Sequence, residues 1–144
     1  MGPEDSGHSF DMSNVQFSSD GTRLLAVLDG LGAMTWKFDA NKRKWDISNS
    51  FADNAESADF SPDGKYVVTT AYQVARVWNV STGEEVGKPL QHISDTIAGK
   101  IKAAAFSPSG KYVITTGSDN HGRVWEWRNG KSVADFSFER PVNA

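Results

Sequence analysis

The sequence predicts an all-β chain folded as three four-stranded antiparallel sheets, and three observations carry that reading. The first is repetition. One phrase occurs as VQFSSDGTRLLAVLDGLGAMTW from Val15, ADFSPDGKYVVTTAYQVARVW from Ala58 and AAFSPSGKYVITTGSDNHGRVW from Ala104. Aligned on the phenylalanine, the copies recur after 43 residues (Phe17 to Phe60) and 46 (Phe60 to Phe106). Each closes on a tryptophan, Trp36, Trp78 or Trp125, which follows its phenylalanine by 19, 18 and 19 residues. A fixed unit of about 40 residues is a module that must stack on its neighbours to bury its apolar faces. The second observation is composition: the runs between turn residues are β-branched and aromatic. The third is that no stretch places apolar residues at helical spacing over three turns.

Taken in order, each copy opens on a short apolar strand that ends at its phenylalanine. FSSDG, FSPDG and FSPSG then supply a turn, with Gly21, Gly64 and Gly110 where positive φ is needed. TRLLAVL, KYVVTTA and KYVITTG form the second strand. In VVTT and VITT both faces are apolar or β-branched, which predicts sheets covered on both sides. AMTWKF, ARVWNV and RVWEWR form the third strand after a brief turn. The next reversal carries Asp39-Ala40-Asn41, Ser81-Thr82-Gly83 or Asn129-Gly130, the last a dipeptide preferred in tight type I′ hairpins. RKWDISNSF, EEVGKPLQH and KSVADFSFE complete the units. The expected boundaries are 13–51, 55–93 and 101–139, after an N-terminal segment 1–12.

Gly7-His8 stands ten residues before Phe17, Gln91-His92 precedes the third copy, and Ser50-Phe51 holds that place before the second. Lys37, Asn79 and Glu126 follow the three tryptophans. On these residues the chain resembles the WD-repeat (WD40-type) β-propeller family over about residues 7–139, with Gly-His pairs partly kept and the Asp of Trp-Asp replaced each time. The resemblance implies three four-stranded antiparallel blades of an incomplete WD-repeat β-propeller. It also implies a buried network of a His, a second-strand hydroxyl, a turn Asp and the Trp. The third copy offers His92, Thr115, Asp119 and Trp125. The first offers His8 and Trp36, with Ala26 and Gly30 at the hydroxyl and acid positions and Asp29 one place off. The second keeps Thr69 and Trp78 alone. Such a network satisfies buried polar groups, and its likeness to a catalytic triad is superficial.

By the same resemblance, the loop before the first strand and the turn between strands two and three share one face. That face is the expected partner-binding surface. It gathers Leu31 from the first copy, Phe51, Tyr72 and Gln73 from the second, and Ile93, Asp95, Lys100, Asn120 and His121 from the third. Loops carry function more often than frameworks do, and Phe51 and Tyr72 are aromatics of the kind that anchor interfaces.

No residue set supports catalysis. Three histidines, His8, His92 and His121, stand too far apart for a metal motif, and no cysteine is present, so neither thiolate chemistry nor a disulfide framework arises. There is no phosphate loop; Gly30-Leu31-Gly32 is a turn without a following helix. No catalytic residue, metal or cofactor is therefore expected. With 18 acidic and 15 basic groups the net charge of −3 disfavours nucleic acid, and Lys42-Arg43-Lys44 reads as a solvated hairpin. Asn79-Val80-Ser81 matches a glycosylation sequon by coincidence, since MGPEDSGHSF has no signal-peptide form. No apolar run approaches the roughly 18 residues of a membrane span. The expectation is a cytoplasmic, non-enzymatic protein–protein interaction or scaffold module. The alternative is a propeller fragment of a larger signalling protein or enzyme whose catalytic part lies elsewhere. Closed propellers use about four to eight blades, so three imply a fragment, or a protomer that self-associates or takes missing blades from another chain. Leu24, Val27, Val113, Ile114 and Val124 belong to strands apolar on both sides, so an apolar patch is expected at each end.

Overall fold

The computed structural model describes residues 11–51, 54–92 and 100–137. In each repeat the chain first reverses on the same side-chain chemistry. After β1 (Met12–Phe17), the Ser18 hydroxyl donates to Asp20 Oδ1 at 2.7 Å and accepts the Arg23 amide at 3.0 Å. Gly21 then takes φ 72°, a conformation that a Cβ would disfavour. Ser61 and Asp63 repeat the bond at 2.6 Å after β5 (Ser57–Phe60), and Ser107 and Ser109 at 3.1 Å after β9 (Ile101–Phe106). The Thr22 amide, with the Ser18 and Thr22 hydroxyls, holds the Asp20 carboxyl at about 2, below its ordinary 3.8.

β2 (Arg23–Leu28), β3 (Gly32–Asp39) and β4 (Lys44–Phe51) complete the first sheet. β6 (Tyr66–Ala71), β7 (Val74–Asn79) and β8 (Glu85–Gln91) complete the second; β10 (Tyr112–Gly117), β11 (His121–Glu126) and β12 (Lys131–Ser137) complete the third. Every sheet is an antiparallel meander in chain order, and the described residues contain no helix. The all-β class and the three four-stranded sheets read from the sequence are thus present.

Successive residues of a strand point to opposite faces, and the middle sheet uses both. Val67 and its partner Trp78 face the first sheet, in a core with Leu25, Val27, Ala33, Phe51 and Val80. Val68 and its partner Val77 face the third sheet, with Leu90, Ile101, Val113, Trp125 and Trp127. That double burial is why VVTT shows no polar side. The outer sheets bury one face each: Val27 and Val113 point inward, whereas Phe17, Ile47 and Ile114 are exposed.

The Asn129-Gly130 reversal differs from its expected form. Glu126 pairs with Lys131, so the loop holds four residues, and Gly130 alone among them has positive φ. The wider loop lets Trp127 leave the ladder and fold into the second core. Its Nε1 donates to the Gly110 carbonyl at 2.8 Å, and its ring lies 4.9 Å from Tyr66 and 6.0 Å from Phe106. The Lys42–Lys44 hairpin is satisfied locally, with Lys42 3.6 Å and Lys44 3.3 Å from Asp46.

Candidate functional site

Two groups of side chains carry polar chemistry, one buried and one on a rim. The buried group centres on Thr115. Its Oγ1 accepts the Trp125 indole N–H at 2.9 Å and lies 2.6 Å from His92 Nε2. With the indole donating to Oγ1, the hydroxyl keeps its own proton to give to Nε2, the arrangement in which the imidazole carries its proton on Nδ1. Among the described residues the buried Nδ1 has no hydrogen-bond partner and lies 3.8 Å from Asp119 Oδ2. Asp119 also takes the His121 amide at 3.1 Å and stands 3.5 Å from Arg123. Burial, then the Arg123 charge, pushes the His92 pKa below its ordinary 6.5, opposed by Asp119 and Asp135. Gly117 makes room for the group, since a Cβ there would lie 2.6 Å from Asp119 Oδ1 and 2.9 Å from His92 Nδ1. A neutral imidazole against a buried hydroxyl clamps the segment before β9 to the third sheet.

The other sheets hold less of this. Trp78 Nε1 donates to Thr69 Oγ1 at 2.9 Å. The Phe51 ring lies 6.0 Å from Trp78, much as His92 lies 6.4 Å from Trp125. Phe51 is therefore a core residue, 1% exposed, and not a rim contact. Its aromatic ring takes apolar space under the neighbouring indole, which is what removes it from solvent. Trp36 lies on the outward face of the first sheet beside Ala26, and His8 falls outside the described residues.

The rim is formed where the β6–β7 and β10–β11 turns meet Glu56, His92 and Lys100. The backbone ties it together: the Ile101 amide donates to the Tyr72 carbonyl at 2.6 Å, His92 to Gln73 at 2.9 Å, and Ser118 to Lys100 at 2.8 Å. Lys100 Nζ lies 2.6 Å from Glu56 Oε1, with both side chains partly exposed. Tyr72 and Gln73 form a two-residue turn between the paired Ala71 and Val74, and Tyr72 takes φ 54° with its side chain 64% exposed. Tight hairpins favour Asn or Gly at such a position, and a bulky residue there is strained. Asn120, also at positive φ, is exposed.

The structure thus brings Tyr72, Gln73, Lys100 and Asn120 to the junction of the second and third sheets. Leu31 projects separately from the first sheet, 40% exposed. His121 belongs to β11 rather than to a loop. Its Nδ1 lies 2.8 Å from Asp135 Oδ1, and Arg123 Nε donates to the other oxygen at 3.1 Å, so strand pairing turns the imidazole towards β12. Those contacts, His121 first, hold the Asp135 carboxyl below its ordinary range. Ile93 and Asp95 lie outside the described residues. Glu56 was not signalled by any motif. Trp127 was signalled weakly, by the Trp-Glu-Trp spacing that puts a second indole after the strand-ending one. Among the described residues no group of His, Asp or Glu could hold a metal ion.

Compared with known families, the chain matches the WD domain, G-beta repeat model at residues 48–79 and 87–126, which is half of its length. The chain belongs to the WD40 repeat family. No curated protein matches it. Each matched WD40 segment begins in the last strand of one sheet and ends in the third strand of the next, β4 to β7 and β8 to β11. The sequence unit therefore straddles two sheets and ties them covalently. WD40 repeats generally serve as protein-interaction and scaffold modules.

Proposed function

We propose that this WD40 chain is a non-enzymatic protein-interaction module whose partner docks on the rim centred on Tyr72, in the cytoplasm. The observation that supports the reading is Tyr72 itself. A large aromatic stands in solvent, in a backbone conformation that favours Asn or Gly, on a turn anchored to the next sheet at 2.6 Å. Strain held at an exposed position is characteristic of sites where a side chain is needed for contact, and tyrosine is enriched among the residues that dominate binding energy. The Lys100–Glu56 ion pair, one residue from the Ile101 amide bonded to Tyr72, brings charge to the same rim, of the kind that borders interfaces. The buried His92–Thr115–Trp125 group joins the end of β8 to the third sheet behind the rim.

Peptides selected from a random library against the full chain supply the probe. Calorimetry is expected to show that Tyr72→Asn weakens the selected peptides at least about tenfold, as loss of an interface anchor does. The same change is expected to leave thermal stability equal or higher, because Asn tolerates positive φ better. Lys42→Glu, on the distant hairpin, is expected to leave affinity unchanged. Peptides that bind Tyr72→Asn as well as the parent chain would overturn the assignment.

A further inference from the structure

The two buried contacts between sheets are built alike. At each, the tryptophan-bearing face of one sheet lies on the opposite face of the sheet before it. The middle sheet presents Phe60, Val67, Trp78 and Val80 in this way, and the third sheet presents Phe106, Val113, Trp125 and Trp127. The first sheet carries the same set in the same register, Phe17, Leu24, Trp36 and Phe38. Nothing among the described residues covers it: Phe17 is 62% exposed where Phe60 is 6%. Leu24, Trp36 and Trp45 line an open hollow of about 240 Å³ on this face.

The receiving faces match as well. Leu25 receives the middle sheet and Val68 receives the third, both fully buried. Their equivalent on the third sheet is Ile114, paired to Val124 as Val68 is paired to Val77. Ile114 is 36% exposed and borders a shallow apolar hollow of about 180 Å³ lined by Ala103, Ala105 and Thr116. Among the described residues, then, one projecting face has no receiver and one receiving face has nothing seated on it.

We propose that a second copy of the chain supplies both, its first sheet seating on this chain's third and its third sheet taking this chain's first. Each new contact repeats a packing that the chain already makes twice within itself. The central positions of both faces are uncharged, and exposed apolar surface of this kind marks an interaction site. A head-to-tail contact closes when its rotation returns on itself, and two copies give six sheets, within the four to eight of closed propellers. This pairing uses the sheet faces, not the rim around Tyr72.

Size exclusion with light scattering on the full chain at micromolar concentration is expected to give twice the monomer mass of 15.7 kDa. Phe17→Glu and Ile114→Glu place a charge on one face each, at positions already exposed in the single chain, and circular dichroism checks that both fold. Each variant alone is expected to run as a monomer. An equimolar mixture is expected to regain the dimer, more weakly, because one intact projecting face then meets one intact receiving face. If glutamate unfolds either variant, Ile47→Glu and Thr116→Glu probe the same two faces. A monomeric parent chain overturns the proposal, and so does a mass that keeps growing with concentration. A variant that stays dimeric alone shows like faces pairing and overturns it too, as does a mixture that remains monomeric. Further blades from another polypeptide would leave the isolated chain monomeric in the first of these measurements. Peptide binding at Tyr72 is expected to survive these substitutions, so the two proposals fail separately.

Discussion

At the scale of single residues, the hydroxyl of Thr115 has a larger role than its size suggests. Among the described residues it alone partners two buried ring nitrogens, Trp125 Nε1 and His92 Nε2. Thr115→Val preserves the shape and leaves both unsatisfied, at about 1–3 kcal/mol for each buried group. Thr69→Val leaves only Trp78 Nε1, on a half-buried indole that water can reach. Urea unfolding is therefore expected to show a loss of about 2–4 kcal/mol for the first change and about 1 kcal/mol or less for the second. Equal losses would contradict the central role of Thr115. His92 adds a dependence on pH. Its pKa in the folded chain lies below the ordinary 6.5, chiefly through burial. In the window between these values the unfolded chain holds a proton that the folded chain refuses, so stability rises with pH there. The contribution is complete above the unfolded value and is lost as pH falls through the folded one. His92→Phe is expected to abolish that slope between about pH 6.5 and the folded value while leaving the carboxylate slope below about pH 4. Denaturation midpoints taken at half-unit steps measure it, and an unchanged slope would assign it to other groups.

At the scale of elements, the bulged β8 shows how close the second and third sheets come. Gly87 takes φ 75°, and a Cβ added to it would stand 2.6 Å from the Trp127 carbonyl oxygen. Gly30 takes φ 77° with nothing within 4 Å of the same atom. Gly30→Ala therefore meets only the backbone penalty of about 1 kcal/mol, while Gly87→Ala adds a further 1–3 kcal/mol or so of crowding against main chain. Thermal melts of the pair separate the two terms. Strand identity, order and the double burial of the middle sheet were legible in the sequence, because a two-residue period and a repeated turn are local properties. The rim was legible only in part. Tyr72 follows from its place in a two-residue turn, whereas the Lys100–Glu56 ion pair joins segments 44 positions apart with no pattern linking them. Phe51 was misread because its place before a repeat suggests a loop, and only packing beneath Trp78 shows the ring turned inward. His121 was misread for a related reason: turn composition runs on through Asn120, but the ladder starts one residue later.

At the scale of the whole molecule, protection is distributed unevenly among the sheets. The middle sheet is covered on both faces, and Val67, Val68, Ala75 and Val77 are at most 2% exposed. The outer sheets are covered on one face, and one edge strand of each is largely open, β1 exposed at five of its six positions and β12 at six of its seven. Opening the amides of β6 and β7 requires separating both cores, whereas β12 can leave with little apolar area lost. Hydrogen exchange at low micromolar concentration is therefore expected to be slowest in β6 and β7, slower by at least about tenfold than in β12, with β2 and β10 between them. Association adds a second dependence, because whatever binds only the folded form stabilises it by mass action. If a second copy covers the open faces, raising the protein concentration is expected to slow exchange in β2, β3, β10 and β11 more than in β6. The middle sheet gains least because its faces are already covered. Exchange that slows equally in all three sheets would show a global effect of concentration instead, and β12 amides as slow as those of β6 would contradict the burial on which the order depends.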